Sequence, residues 1–309
     1  MRVLFTNWHY SMMGGAQTWV YTAAQALAAL GHVPLVWSDG LGILADKSAP
    51  FARCSTKLSD LEPWDVVWGS HQLVGRVPAR TPRCQIVHAT QNQDQEAPVP
   101  GLDAYFAVSE EVADFLRHQG FPCAGVIRQP IDTERFRRLE PPRPWPPRVL
   151  YFGNYQRWVP LAAEACRQIG APFSVCGGPK DDEGRRWDVE RALNDADLVL
   201  GQTRCVLEAM ACERNAIVCS GWDPDFDYGL DGFVTPATYA EFRTTNLTGN
   251  VRRQLPTVDG LIAEIRKYDP SLGPALRALV VAHHAPLTAI QPLIQWTVAT
   301  TGQPFAGMA

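Results

Sequence analysis

The stretch "MRVLFTNWHYSMMGGAQTWVYTAAQALAALGHVPLVWS", residues 1–38, carries the pattern that decides the fold class. An apolar run over residues 2–7 predicts a short strand, and apolar residues at helical spacing then predict a helix that ends at Gly31. The next apolar run, "HVPLVWS", predicts a second strand. A strand, a helix and a strand in this order are typical of a parallel sheet with helices on its faces.

The same alternation fills two regions of the 309-residue chain, on either side of a proline-rich stretch. In the first region, "DVVWGS", "CQIVHAT" and "AYFAVS" predict strands, and "SEEVADFLRHQG" predicts a helix with Ser109 as its N-cap. In between, residues 139–148 contain five prolines in ten residues, which predicts a stiff, extended connection. We therefore predict an α/β fold of two doubly wound, Rossmann-like domains, residues 1–140 and 149–285, joined by a linker at residues 141–148.

The composition is that of a globular protein with a large core, since 46% of the residues are hydrophobic and 19% are charged. A net charge of −4 gives no general attraction to nucleic acid, and no nucleic-acid partner is expected. The eight cysteines form no Cys-x-x-Cys pair, which argues against a zinc site and a disulfide framework. The sequence shows no signal peptide and no apolar run of about 18 residues. We expect a cytoplasmic protein without a transmembrane segment, and peripheral membrane association is left open.

Two adjacent glycines, Gly14 and Gly15, stand where the first strand passes into the first helix. In an open parallel sheet, ligands bind beyond the carboxyl ends of the strands, and a helix that begins there offers free N–H groups and a partial positive charge. Glycines allow an anion to approach the backbone. The dinucleotide and P-loop fingerprints are both missing, so a tight turn and an anion site remain equally open at this point.

Four stretches in one order cover most of residues 1–236: "RVLFTN…GGAQTWVYTAAQALAALGHVP", "DAYFAVSEEVADFLRHQGFPCAGVIRQPIDTERF", "LYFGNYQRW" and "ADLVLGQTRCVLEAMACERNAIVCS". Together they resemble the glycosyltransferases of family 4, which use nucleotide sugars with retention at the anomeric carbon. The resemblance implies the GT-B fold, in which two Rossmann-like domains face each other across a cleft. It also implies that residues 286–309 include a helix that crosses back to the first domain. The expected enzyme is a hexosyltransferase-type glycosyltransferase.

The resemblance assigns roles to individual residues, each with a simpler alternative. Glu208, in "LEAMAC", matches the carboxylate that grips the nucleotide ribose, the alternative being a solvated glutamate on a helix face. His88 matches a histidine that reaches the donor sugar and is the candidate catalytic residue, unless it is only a polar strand end. Arg157 is the candidate phosphate clamp, or else an arginine on an exposed loop. Backbone N–H groups for the diphosphate are expected at Thr203, Arg204 and Cys205, and an anion contact at Gly14 and Gly15.

The sequence also departs from the family pattern. Leu200 stands where the first of two paired glutamates is expected, and "GQTRC" replaces a Gly-Phe-Gly turn. Asn154 takes the place of an arginine, and no lysine follows nearby. These changes suggest an alternative function, a catalytically impaired glycosyltransferase-like protein that binds a nucleotide sugar or a glycan. An epimerase of the same fold is a second alternative, but it would need carboxylates near the sugar that we cannot place.

The expected donor is a UDP- or GDP-sugar, with base contacts near Gly177 and Gly178, and the acceptor is an unknown glycan, lipid or small molecule. No cofactor and no metal is expected, because the backbone N–H groups and Arg157 are expected to supply positive potential for the diphosphate. In the family the departing phosphate takes the proton of the acceptor, so the lack of an obvious general base is no objection. The aspartates at positions 223, 225 and 227 could suggest a metal site, but they fall in a stretch rich in turn formers. Glu110 and Glu111 are adjacent on a helix and point apart, so a capped helix start is favoured over a catalytic dyad.

Overall fold

The computed structural model describes residues 1–90, 97–178, 187–221 and 229–305. The chain divides into two compact units, and we describe each by itself. The first unit consists of Met1–Pro130 and Pro286–Ala309, and the second consists of Ile131–Ala285. The first unit is therefore discontinuous in sequence, and the second is inserted between its two parts.

Each unit is built on one main β-sheet, and the described strands are numbered in chain order. The strands of the first unit are β1 (Arg2–Thr6), β2 (His9–Tyr10), β3 (Val33–Trp37), β4 (Gly40–Leu41), β5 (Arg53–Ser55), β6 (Val66–Ser70), β7 (Arg83–Val87), β8 (Ala104–Ala107) and β9 (Cys123–Val126). Those of the second unit are β10 (Val149–Phe152), β11 (Phe173–Cys176), β12 (Leu198–Gly201), β13 (Asn215–Cys219) and β14 (Leu230–Phe233).

The described helices are numbered in the same way. They are α1 (Gly15–Ala29), α2 (Ile43–Ser48), α3 (Glu110–His118), α4 (Val159–Gln168), α5 (Val189–Asp195), α6 (Arg204–Ala211), α7 (Pro236–Phe242), α8 (Val258–Ile265), α9 (Gly273–His284) and α10 (Pro286–Thr301). Short 3₁₀ turns occupy Leu58–Leu61, Gln72–Arg76, Arg243–Thr245 and Pro270–Leu272.

The sheet of the first unit is parallel throughout, with the strand order β5-β3-β1-β6-β7-β8-β9. The last four residues of β1 are completely buried, which explains why an uninterrupted apolar run encodes this strand. The C-terminal helix α10 packs in the same unit. The indole Nε1 of Trp68 on β6 donates to Thr297 Oγ1 at 2.9 Å, and the rings of Phe106 and Trp296 lie 6.0 Å apart.

The sheet of the second unit has the order β11-β10-β12-β13-β14, with only β14 antiparallel to its neighbour. Alternate residues of its strands enter two separate cores. Leu150 and Val199 belong to the core that includes α6 residues, whereas Tyr151 and Leu200 belong to the core with α4 and α8 residues. Helices thus cover both faces, as in a doubly wound sheet.

The proline-rich stretch lies within the second unit, and the chain passes between units at residues 130–131 and 285–286 instead. Backbone N–H groups of Arg143 and Arg148 donate to the Asp197 carboxylate at 2.9 and 2.8 Å, and the Tyr268 hydroxyl donates to the carbonyl of Arg143 at 2.5 Å. These contacts hold the stretch against the second sheet. Proline content predicts extended backbone, but it does not predict where one unit ends and the next begins. That boundary depends on tertiary contacts such as these.

Candidate functional site

In the second unit, glycines mark the carboxyl ends of four neighbouring parallel strands, β10 to β13. They are Gly153, Gly177, Gly201 and Gly221. Gly177 has φ +107°, and a Cβ there would lie 2.4 Å from the carbonyl oxygen of Gly153. At Gly201 a Cβ would lie 2.6 Å from the carbonyl oxygen of Phe152. At these two positions neighbouring backbone leaves no room for a side chain, so glycine allows the loops to pack closely at the carboxyl edge, where doubly wound sheets bind their ligands.

The turn between β12 and α6 holds the predicted diphosphate amides. Thr203 precedes the helix with φ +49° and ψ −123°, a backbone conformation that a β-branched residue rarely adopts. Its N–H donates to the carbonyl of Leu247 at 2.9 Å, and the N–H of Cys205 donates to the carbonyl of Gln202 at 3.1 Å. Two of the three predicted amide donors therefore already have backbone acceptors in the protein.

Glu208 lies one turn into α6, where it is 7% exposed and pairs with Arg204 on the same helix. The two guanidinium atoms nearest its Oε1 lie at 3.2 Å for Nη2 and 3.3 Å for Nε. Burial raises the pKa of the Glu208 carboxyl, against the opposing positive charges of Arg204 and Arg135. Burial lowers the pKa of the Arg204 guanidinium, against the opposing charge of Glu208. The glutamate is therefore a buried, paired carboxylate and not a solvated surface residue.

A second ion pair lies beside the first one. Arg135, from the loop "QPIDTERF", forms a hydrogen-bonded ion pair with Glu190 at the start of α5. Its guanidinium carbon lies 4.0 Å from the ring centroid of Trp187. Asp132 Oδ1 accepts from the backbone N–H groups of Glu134 and Arg135 at 3.1 and 2.9 Å, which fixes the loop. Two guanidinium and two carboxylate groups thus surround the start of α6.

Arg157 lies in the loop after β10, the strand paired with β12. It is exposed, and its guanidinium carbon lies 4.3 Å from the centroid of the Trp158 ring. The Trp158 indole donates to the carbonyl of Ser220, at the carboxyl end of β13, at 2.5 Å. The loop that carries Arg157 is therefore anchored at the same glycine-rich edge, although the arginine itself extends into solvent. Leu200, at the position of the missing carboxylate, is a fully buried core residue of β12.

In the first unit, α1 begins at Gly15. Gly14 is its N-cap residue and, as a glycine, provides no side-chain capping hydrogen bond. Gly14 has φ −135°, an extended conformation open to any residue. A Cβ at Gly15 would meet no atom within 4 Å, and one at Gly14 would meet only the flexible side chain of Gln17. Neither the backbone conformation of Gly14 nor contacts with described residues at the two positions therefore require glycine.

His88 follows β7 and is held by neighbours from two other elements. Its Nε2 lies 3.0 Å from Ser70 Oγ at the end of β6. Its ring lies 6.0 Å from the ring of Trp19 on α1 and 6.2 Å from the ring of His71. His88 is therefore part of a polar cluster at the carboxyl ends of the parallel strands and not an isolated strand end.

Three residues of this cluster, Asn7, Ser70 and His71, are missing from the sequence prediction. All three are buried and lie at the carboxyl end of β1 or β6. His71 has φ +61°, and its Nδ1 accepts the backbone N–H of Trp8 at 3.4 Å, so a neutral ring carries its proton on Nε2. The available sequence signal was a polar residue at the end of an apolar run, a feature that His88 shares, although His88 was selected through the resemblance. Such unusual backbone angles concentrate at functional sites.

Other predicted features are also located. Glu110, in the first turn of α3, pairs with Arg128, and Ser109 caps that helix by accepting from the N–H of Val112 at 3.2 Å.

The aspartates at 223, 225 and 227 lie outside the described residues. Among the residues that are described, no group of three or more His, Cys, Asp or Glu side chains could hold a metal ion. Within the same residues, no helix is both long and apolar enough to cross a membrane.

Comparison with known proteins finds structural likeness only. No family model and no curated protein matches the sequence. The structure of HepE (Alr3699) from Anabaena, in complex with UDP and glucose, is 15% identical with a TM-score of 0.62 over 97% of this chain and 100% of that chain. A Listeria monocytogenes protein assigned as a UDP-N-acetylglucosamine 2-epimerase is 10% identical, with a TM-score of 0.57 over 99% and 98%. The glycosyltransferase WaaG, involved in lipopolysaccharide biosynthesis, is 14% identical, with a TM-score of 0.53 over 97% and 100%.

At these identities the likeness shows the fold. Full-length similarity to these structures, together with two α/β units on mainly parallel sheets, defines the chain as a protein of the GT-B fold with Rossmann-like units. The fold class predicted from the sequence is therefore confirmed.

Proposed function

We propose that the protein transfers a sugar from a nucleoside diphosphate sugar to an acceptor, with retention at the anomeric carbon. The observation that carries the proposal is the buried Arg204–Glu208 pair on α6, the helix that follows the carboxyl end of β12. Two further facts support it, the GT-B fold and the presence of UDP in the HepE structure. UDP-sugars are the first donors to test, and GDP-sugars are the second.

The nucleotide is assigned to the second unit. Glu208 accepts hydrogen bonds from the ribose hydroxyls, and such charge-assisted bonds are stronger than neutral ones. The diphosphate is assigned to the start of α6, residues 203–205, with Arg157 as an additional cation. A helix start favours negative charge, and the exposed Arg157 side chain is free to turn from the Trp158 ring to a phosphate.

His88, held by Ser70, is assigned to the transferred sugar, which it orients or whose charge it shares as the glycosidic bond opens. In the first unit, the start of α1 at Gly14 and Gly15 offers backbone N–H groups that favour an anion. In this proposal, preorganised donors stabilise the departing diphosphate, usually the largest catalytic contribution. That phosphate takes the acceptor proton, so no separate general base is assigned. Backbone N–H groups and Arg157 are assigned to the charge of the diphosphate, and the proposal includes no metal and no cofactor.

A second candidate is a nucleotide-sugar or glycan binding protein without catalysis. Leu200 favours it, because a fully buried apolar side chain stands where a sugar-supporting carboxylate is expected. The N–H groups of Thr203 and Cys205 already donate to backbone carbonyls, which also favours this candidate.

One experiment tests the two candidates together. The protein is incubated with UDP-glucose, UDP-N-acetylglucosamine, GDP-mannose and dTDP-glucose, with and without glycan and lipid acceptors, and the released nucleotide and the sugar products are measured. Transfer predicts nucleotide release coupled to a glycosylated product, lost in the variant Arg204→Met with Glu208→Leu. Binding without turnover across all acceptors would favour the second candidate, and an epimerised sugar would contradict both.

A further inference from the structure

Asn7, the first residue after β1, has a buried side chain whose amide finds no hydrogen-bond partner among the described residues. Its relative exposure is 0%, and its backbone N–H donates to the carbonyl of Trp37 at 3.0 Å. Across the described residues, however, neither Oδ1 nor Nδ2 of its amide has a hydrogen-bond partner. Buried polar groups are nearly always paired, because an unpaired one loses its hydration without compensation. This amide therefore lowers the stability of the protein, and the position calls for a reason other than folding.

Strand register places Asn7 beside the His88 cluster. Phe5 on β1 lies opposite Trp68 on β6, with ring centroids 5.6 Å apart. Because side chains alternate along a strand, Asn7 and Ser70, each two residues further on, come next on the same face. Ser70 Oγ lies 3.0 Å from Nε2 of His88. Asn7, Ser70 and His88 thus form a row across the carboxyl ends of β1, β6 and β7.

The row lies on the face of the sheet that carries α1. The ring of His88 is 6.0 Å from that of Trp19, which lies in the second turn of this 15-residue helix. The row and the start of α1 at Gly15 are therefore on one side of the sheet, at its carboxyl edge. His88 is half-buried while Asn7 and Ser70 are fully buried, so solvent reaches the row at the His88 end.

The chemistry of the row selects the kind of ligand. An amide offers one acceptor and two donors, so a partner that satisfies both of its polar atoms must both donate and accept. A phosphate or carboxylate would pair with Nδ2 and repel Oδ1, and an ammonium group would do the reverse. A pair of adjacent hydroxyls does both. The hydroxyl of Ser70 and a neutral imidazole at His88 also donate and accept, which suits the same partner.

We propose that Asn7, together with Ser70 and His88, forms a subsite for adjacent hydroxyl groups of a sugar ring, with Asn7 contacting them directly or through one water. This rests on the proposed function and deepens it, because it assigns sugar contacts to residues of this chain other than His88. The diol belongs either to the transferred sugar or to a sugar acceptor, and the two sources bind differently.

The first test measures stability without ligand. Asn7→Leu replaces the amide with methyl groups of the same branching, and Asn7→Ala removes it without filling the space. Relief of an unpaired amide is expected to raise the Tm of Asn7→Leu by about 2–4 °C and to leave Asn7→Ala no less stable than the unaltered protein. The matched control is Asn194→Leu, because Asn194 is also buried but donates to the carbonyls of Arg137 and Glu190 at 3.1 and 2.9 Å. Its Tm is expected to fall.

The second test measures sugar binding by calorimetry. UDP-glucose and GDP-mannose are compared with UDP and GDP in the unaltered protein and both Asn7 variants. If the diol belongs to the donor, the Asn7 variants bind the nucleotide sugars about ten- to a hundredfold more weakly, with unchanged binding of UDP and GDP. If the diol belongs to the acceptor, the Asn7 variants bind the nucleotide sugars and the free nucleotides with unchanged affinity. Free glucose, mannose and galactose then show NMR saturation transfer with the UDP-loaded protein but not with its Asn7 variants.

These experiments distinguish failure of the proposed function from failure of the Asn7 subsite. If the unaltered protein binds no nucleotide or nucleotide sugar, the proposed function fails, and free-sugar binding in the absence of nucleotide decides the subsite. The subsite is overturned if Asn7→Leu and Asn7→Ala both lose stability, since Asn7 is then an ordinary structural residue. It is also overturned if the variants keep every sugar affinity of the unaltered protein, or if that protein binds no sugar in any form.

Discussion

The guanidinium of Arg204 lies against the carboxylate of Glu208 one turn further along α6, with Nη2 3.2 Å from Oε1 and both side chains about one tenth exposed or less. The arrangement is poor for stability. A cation in the first turn opposes the helix dipole, and the order of cation before anion is the weaker one for a pair four residues apart. Both groups also lose hydration. We infer that the pair serves a ligand that brings negative charge and hydroxyl groups to the start of α6.

The Arg204–Glu208 pair gives the first prediction. Glu208→Leu leaves a buried guanidinium without its carboxylate, so the free energy of unfolding should fall by about 3–5 kcal/mol in urea titrations. The double variant Arg204→Met with Glu208→Leu replaces both charges with apolar groups and should return to within about 1 kcal/mol of the unaltered protein. Its affinity for UDP should still be weaker by about 1.5–3 kcal/mol in calorimetry. Full UDP affinity in the double variant would show that the ribose site lies elsewhere.

Thr203 provides a prediction about backbone strain. A β-branched residue at φ +49° and ψ −123° is strained, and glycine relieves that strain because it has no Cβ. Thr203→Gly should therefore raise the free energy of unfolding by about 1 kcal/mol, after the entropic cost of glycine is subtracted. Thr203→Ala is the control, since it removes the hydroxyl but keeps the Cβ and should show no comparable gain. Equal gains in both variants would assign the effect to the hydroxyl and not to the backbone angle.

Asp197 provides a prediction about pH. Burial alone would raise the pKa of its carboxyl, but hydrogen bonds from the Arg148 side chain and from the N–H groups of Arg143 and Arg148 lower it below its ordinary value. Asp197→Asn should cost about 2–4 kcal/mol at pH 7. Because the unfolded pKa is about 3.9 and the folded pKa is lower, this difference should persist down to about pH 5 and shrink below about pH 4.

The control for Asp197 is the exposed pair of Arg191 and Asp195, whose charged atoms lie 3.8 Å apart. Asp195→Asn should change stability by less than about 0.5 kcal/mol at every pH. If the difference for Asp197→Asn instead grew as the pH fell, its pKa would be raised in the folded protein.

His88 provides the catalytic prediction. His88→Ala should lower kcat by about 10²-fold if the imidazole stabilises charge on the sugar as the bond breaks, and KM should rise as well if the same ring holds a sugar hydroxyl. Ser70→Ala removes the hydroxyl 3.0 Å from Nε2 of His88 and should produce a smaller loss. His118→Ala, on the exposed end of α3, is the control and should retain full activity. A rise in KM at constant kcat would make His88 a binding residue only.

The sequence predicted the fold because its apolar runs correspond to fully buried strands. The run at residues 2–7 became β1 (Arg2–Thr6), and the helix predicted to end at Gly31 became α1 (Gly15–Ala29). The two-residue strands β2 and β4 were missed, because two residues are too short to show periodicity. Proline-rich sequence predicted an extended backbone at residues 141–148, but the hydrogen bonds to Asp197 that hold it to the second unit depend on tertiary structure.

The sequence proposed residues for the candidate site but could not give their environment. His88 and Glu208 were proposed through a resemblance, and the sequence contains an acid four residues after Arg204. It could not show that this pair is buried, nor that the Asn7 amide has no partner among the described residues, since both follow from side chains distant in sequence. His71 was missed for a related reason, because a positive φ on a histidine has no sequence signature. These buried polar groups depart from what local propensity favours, as functional residues often do.

The discontinuity of the first unit has a consequence for synthesis on the ribosome. Trp68 donates to Thr297, which lies 229 residues later in the chain. At about 5–20 residues per second, this acceptor emerges on the order of 10–50 s after its donor. During that interval the indole lacks this acceptor, while the whole of the inserted unit, Ile131–Ala285, is synthesised. The strands made first therefore belong to the unit that is completed last.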